Sequence, residues 1–169
     1  VRDARRLLGI YLRDHLAGSA AGVALVRRCR NSNRGTELGV ILQEFETQIV
    51  EDRQSLHNIM RRLNVRESVV KEMIGSVVEM VGRLKSNGRL TGYSPSSRVV
   101  ELETLAAGVF TKRSLWLSLR AVVDDYVELD REELEQLITR ATAQYQRLIA
   151  EHDRAAAIAF ATSRSGSSH

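Results

Sequence analysis

The chain of 169 residues is poor in the features that most folds use to brace or punctuate themselves. Cys29 is its only cysteine, so no intrachain disulfide can form and a cysteine-built zinc site is excluded. A reducing, cytoplasmic setting is the expectation that follows. A single proline, Pro95, and only 5% aromatic residues leave little to interrupt a helix. No apolar run reaches membrane-spanning length: the charge-free stretch from Leu16 to Val26 stops at Arg27 and Arg28. Arg13, Asp14 and His15 just before it make a poor signal peptide. There is no strand-like alternation and no repeat at a fixed period. A G-x-S-x-G nucleophile elbow, a phosphate loop and a dinucleotide fingerprint are also missing. Ser19, Ser55, Ser76, Ser114 and Ser118 fall mid-helix, where hydroxyls back-bond or face water, so no catalytic residue is assigned.

What is present is the composition of a helical domain. Hydrophobic residues at 43% and charged residues at 27% suffice for one core and exclude a disordered chain. The net charge of +4 is modest, and basic residues alternate with acidic ones along most helices. Nucleic-acid binding through Arg5, Arg6, Arg27, Arg28 and Arg30 is therefore disfavoured.

Apolar spacing by threes and fours predicts four long helices. The first covers about residues 3–30, with a seam of Leu8, Tyr11, Gly18, Gly22, Leu25 and Cys29, and it ends in Asn31 to Gly35. The second follows the N-cap Thr36, with Leu38, Leu42, Phe45, Ile49, Asp52, Leu56, Ile59 and Leu63 in line. Asn64, with Glu67 three residues on, is read as capping a shorter helix over about Arg66 to Lys85, in which Gly75 and Gly82 lie a heptad apart. Ser94-Pro95 opens the third long helix, whose seam is Leu102, Leu105, Val109, Lys112, Trp116, Leu119, Val123 and Tyr126. Asp130 and Glu133 form a capping box for the fourth. Its seam reads Leu134, Leu137, Ala141, Tyr145, Leu148, His152, Ala155 and Ala159. Residues 1–163 then form one domain and 164–169 a flexible tail.

Short connections make each flanking pair an antiparallel hairpin. A helix of about 20 residues spans about 30 Å, enough to carry the chain back along the whole bundle. The predicted class is all-α: two antiparallel hairpins joined by a crossover helix, the connectivity of the ferritin-like four-helix bundle. The strings YLRDHLAGSAAGVALVRR, EFETQIVEDRQSLHNIM and YSPSSRVVELETLAAGVFTKRSLW resemble actinobacterial proteins of the ferritin-like superfamily. The resemblance covers nearly the whole chain and implies a fold but no particular activity. Oxidases of that superfamily use a Glu from each of two helices and Glu-x-x-His on the other two. Here Glu44, Glu46 and Glu51 are followed three residues on by Thr47, Ile49 and Gln54, and Glu151 by Arg154. Glu46 and Glu103 fall off their seams and are expected to face solvent. No metal ligand carries over, so neither a metal nor another cofactor is expected.

Four polar residues interrupt the seams instead. Centring the hairpins near Asn33 and Leu129 puts His15, Asp52, Lys112 and Tyr145 at one mid-bundle height. Asp52 alone is costly to bury; Lys112 neutralises it, and His15 and Tyr145 add hydrogen bonds. Such a layer sets register and fold specificity. In the simpler alternative Lys112 snorkels outward and only His15 and Asp52 pair. His152 is read as a satisfied core histidine near Phe45, Leu105 and Gly22, and His57 as peripheral. The leading functional expectation is a metal-free, non-catalytic bundle acting through protein contacts, as a homo-oligomer and most simply a dimer. Two alternatives stand beside it. One is a residual metal-binding or oxidoreductase protein using His15, Asp52 and His152. The other is a bundle whose small first-helix residues leave room for an apolar ligand.

Overall fold

The computed structural model describes residues 2–66 and 94–162. Four long helices account for most of them: α1 (Arg2–Ser32), α2 (Glu37–Arg62), α3 (Pro95–Ala121) and α4 (Arg131–Phe160), with a 3-10 turn at Val123–Asp125. No strand occurs among the described residues, and no described helix is long and apolar enough to cross a membrane. The expected crossover helix after Arg66, with Gly75 and Gly82, and the tail 164–169 lie outside the described residues.

Side-chain oxygens start three of the helices. Thr36 Oγ1 accepts from the Gly39 amide at 3.1 Å, and Ser94 Oγ from Ser97 at 3.2 Å. Asp130 takes the amides of Glu132 and Glu133. The Glu133 carboxylate is paired with Arg62 across the bundle, so the cap acts from one side. Asn64 departs from expectation. Its φ of 56° is left-handed, whereas an N-cap needs extended backbone. Val65 N–H reaches Met60 O at 2.8 Å and Asn64 N–H reaches Arg61 O at 3.1 Å. Asn64 therefore closes the end of α2 in a Schellman arrangement rather than serving as an N-cap.

Cross-helix contacts fix the directions. Arg27 meets Glu46 at 2.9 Å and Arg53 meets Ser19 at 3.0 Å, so α1 and α2 are antiparallel. Arg113 to Thr142 at 2.8 Å and Arg120 to Glu135 at 3.2 Å make α3 and α4 antiparallel. Arg5 pairs with Glu128 at one end of the molecule and Arg28 with Glu101 at the other, which runs α1 against α3. Arg147 to Glu44 runs α4 against α2. Hence α2 and α3 point the same way, and Arg66 and Ser94 lie at opposite ends of the bundle.

The core divides into two apolar clusters. One gathers Leu12, Leu16, Leu56, Ile59, Leu115, Trp116, Leu134 and Leu137 at the end where α1 begins. The other gathers Leu25, Val26, Leu42, Phe45, Leu102, Leu105 and Leu148 at the opposite end. What separates them is polar and partly hollow.

The α1–α2 turn depends on Gly35, at a left-handed φ of 77°, and on Gly39, which lies against the turn backbone. A Cβ on Gly39 would lie 2.2 Å from the Asn33 carbonyl oxygen, which also accepts from the Thr36 hydroxyl and amide. Gly39→Ala should therefore cost about 1–3 kcal/mol through overpacking. Urea unfolding followed by circular dichroism reads the loss; an unchanged midpoint would contradict the contact.

Candidate functional site

Asp52 on α2 is only 1% exposed. Lys112 from α3 and Arg140 from α4 both pair with its carboxylate. Gln144 completes the group: its carbonyl accepts from Lys112, and its amide donates to Gln48 at 2.8 Å and to Asp52 at 3.5 Å. Burial pushes the Lys112 ammonium below the usual lysine range; Asp52 pulls it back up and Arg140 lowers it further.

Two of the four residues predicted at this height lie elsewhere. The His15 ring packs edge-on against Tyr11, with centroids 4.5 Å apart, and Tyr145 leans on Phe110 at 6.0 Å. Among the described residues neither hydrogen-bonds to Asp52 or Lys112. Hairpin geometry gives the reason. The pairs Arg27–Glu46 and Ser19–Arg53 centre the first hairpin on Thr36, not Asn33. His15 is left about five residues, roughly 8 Å, along the axis from Asp52. Lys112–Gln144 and Arg120–Glu135 centre the second hairpin about one residue before Leu129, which puts Gln144 where Tyr145 was expected.

The same one-residue difference recurs at Glu151, whereas Leu134, Leu137, Ala141, Leu148 and Ala155 are buried as expected. Glu151, 9% exposed, turns inward and takes Arg154 at 2.9 Å. His152 is half-buried and meets Asp153 at 3.0 Å, so it is not a core histidine. Glu103 is exposed, as expected, but Glu46 is not: Arg27 and Arg30 hold it at 2.9 and 2.6 Å. A third buried acid, Glu101, pairs with Arg28 at 3.0 Å beside Cys29. Burial first, then the Glu101 charge, push the Cys29 thiol far above its ordinary range, so it is no nucleophile.

Where α2, α3 and α4 contribute polar groups, α1 contributes small ones. Gly18, Ala21 and Gly22 face a cavity of about 480 Å³ between α1, α2 and α3. A Cβ placed on Gly18, Gly22 or Gly108 would meet nothing within 4 Å. Leu25, Ile49, Leu56, Leu105, Val109 and Trp116 supply apolar wall. His15, Ser19, Asp52, Arg53 and Lys112 supply the polar part. Among the described residues the buried Trp116 indole N–H has no acceptor.

The donors present at mid-bundle do not fit the two-metal centre of ferritin-like oxidases. The only buried carboxylate at this height is already held between two cations, which would repel a metal ion. Among the described residues no three of His, Cys, Asp and Glu converge. Compared with family models, curated proteins and solved structures, the chain gave no match in any of the three.

Asp52→Asn strands the Lys112 ammonium, while Arg140 keeps Glu51 at 3.4 Å, and should cost about 3–5 kcal/mol. Lys112→Met leaves Arg140 on Asp52 and should cost on the order of 1 kcal/mol. Chemical denaturation of both variants checks the order; equal losses would refute it.

His15 titrates below the ordinary 6.5, mainly because burial disfavours its charge, with Asp14 pulling the other way. A lowered folded value means that the unfolded chain takes the proton first. His15 thus contributes stability above pH 6.5 that is lost as pH falls through the folded value. His15→Gln should lose less Tm than the parent between about pH 7.5 and about pH 5. A larger loss in the variant would reverse the assignment.

Proposed function

We propose that this protein is a non-catalytic, ferritin-like helical bundle that binds a small apolar molecule in the α1–α2–α3 cavity. The helix directions support the ferritin-like part, because two antiparallel hairpins with α2 and α3 parallel is that connectivity. The single observation that carries the ligand reading is the cavity itself. Its volume of about 480 Å³ lies within the range of small-molecule sites, and a few polar groups converge on its apolar wall. A salt-bridged network stands where related oxidases keep their metals, so binding and not redox chemistry is the role assigned.

A purely contact-based role is less well supported. The large exposed apolar side chains, among them Leu7, Val40, Phe110 and Ile158, are spread over all four helices. The cavity gathers apolar surface in one place.

The uncharged fluorescent probe N-phenyl-1-naphthylamine tests the reading. The native protein should enhance its emission saturably with one site per chain. The double variant Gly22→Leu, Gly108→Leu, which fills open space at two walls, should abolish the enhancement while retaining helical circular dichroism. Equal enhancement by both proteins, or none by the native one, sinks the proposal.

A further inference from the structure

We propose that the ligand is an uncharged, unbranched chain molecule, which enters sideways through a slot between the middles of α1 and α3. This inference rests on the small-ligand reading and adds the ligand's charge, its shape and its route.

The wall decides the charge. Asp14 and Asp52 stand on it against Arg53 and Lys112, so its formal charges cancel. The buried groups are already engaged: Asp52 takes Lys112 and Arg140, and Arg140 also reaches Glu51 at 3.4 Å. Arg53 Nε donates to Ser19 Oγ at 3.0 Å, and that hydroxyl donates to Leu16 O at 2.6 Å. An ionised head group drawn inside would shed its water and find no unmatched charge in return.

The shape follows from the span of the lining. On α1 it runs from Tyr11 to Leu25, and on α3 from Thr104 to Trp116. Between Thr104 and Trp116 the helix rises about 18 Å. A cavity of about 480 Å³ drawn out over that length has a mean cross-section of about 27 Å². That is a tube for one hydrocarbon chain, too narrow for a ring or cage of equal volume.

The route lies between two clasps. Tyr11 meets Ser118 at 3.2 Å, and Arg28 meets Glu101 at 3.0 Å. Among the described residues no hydrogen bond or ion pair joins α1 to α3 between them. Counting inward from both clasps sets Gly18 opposite Thr111 and brings Gly22 near Gly108. Gly18, Gly108 and Thr111 are exposed and also line the cavity, so the hollow reaches the surface along this line. Thr111 turns its hydroxyl back to Ala107 O at 3.0 Å and Thr104 to Val100 O at 2.7 Å, which leaves no polar arm across the opening. A Cβ on any of the three glycines would meet nothing within 4 Å, so the lips stay apart.

Trp116 is the only tryptophan and lies on the cavity wall, so its emission reports occupancy. Three probes separate charge from shape at neutral pH, each used below its solubility limit: 1-decanol, decanoate and cyclododecanol. The native protein should bind 1-decanol about tenfold or more tighter than decanoate, whose charge goes unmatched. A similar preference is expected over cyclododecanol, which carries as much hydrocarbon in a wider body. Decanoate binding as tightly as 1-decanol overturns the uncharged assignment, and cyclododecanol binding as tightly overturns the chain shape; either result leaves the ligand reading standing. If none of the three binds, and N-phenyl-1-naphthylamine also fails, both readings fall together. The slot is tested by rates. The double variant Gly18→Leu, Thr111→Leu adds bulk at both lips. Stopped-flow mixing with 1-decanol should show association and dissociation slowed by one common factor, about fivefold or more, because a narrowed route raises a barrier met from both sides. Kd should stay unchanged, which also shows that the chamber and the fold are intact. Unchanged rates place the entrance elsewhere, and an altered Kd makes these residues part of the chamber wall; either outcome overturns the slot.

Discussion

Burying the Asp52 carboxylate imposes a demand that its own helix does not meet. A carboxylate at 1% exposure needs nearby positive charge and hydrogen-bond donors, or it would be protonated or the fold would open. Lys112 and Arg140 come from α3 and α4, and Gln144 bridges Lys112 to Gln48. Three helices are thereby tied at one height. An apolar seam tolerates a slip by a heptad, but a lone carboxylate that must meet two cations does not. The apolar clusters on either side then supply most of the burial, while the polar group between them selects the register.

The sequence made the helices legible for clear reasons. Thr36, Ser94-Pro95 and Asp130 are strong start signals, and each caps the helix expected of it. The seams of α2 and α3 were readable because their apolar residues keep one spacing, with Asp52 and Lys112 as conspicuous interruptions. The seam of α4 was readable in Leu134, Leu137, Ala141, Leu148 and Ala155 but not at its two polar positions. Tyr145 and His152 look more like interior residues than Gln144 and Glu151 do, so hydropathy favours the wrong member of each adjacent pair. Only the hairpin register, set by side-chain contacts between helices, decides between them. A helix turns by about 100° per residue, so an error of one residue is enough to move a side chain off the core face. Arg140 was missed for a related reason. Its α-carbon sits at the edge of the face, and its long side chain reaches inward, which no spacing rule records.

On α1 the ambiguity was of another kind. Leu8, Tyr11, Gly18 and Gly22 do share a stripe, but Leu12 and Leu16 are the residues at 0% and 8% exposure. The stripe borders a hollow instead of filling the core. Small residues at helical spacing are compatible with close helix contact and with a cavity, and sequence alone does not separate the two. Here the Cβ positions at Gly18, Gly22 and Gly108 point into open space, which excludes close backbone packing at all three.

That hollow is expensive for a protein to keep. Each mid-helix glycine costs about 0.5–1 kcal/mol relative to alanine, and alanine would fit at these three positions without a clash. That cost is not forced by the Asp52 network, whose partners come from α3 and α4. A molecule that fills the cavity offsets these costs by mass action, because anything that binds only the folded chain stabilises it in proportion to the logarithm of its concentration over Kd. At a concentration of 100 Kd the gain is about 2.7 kcal/mol, comparable to the summed penalty of the three glycines. The polar layer explains how the bundle holds its register. A bound molecule of the kind proposed would account for the space that the described helices leave beside it.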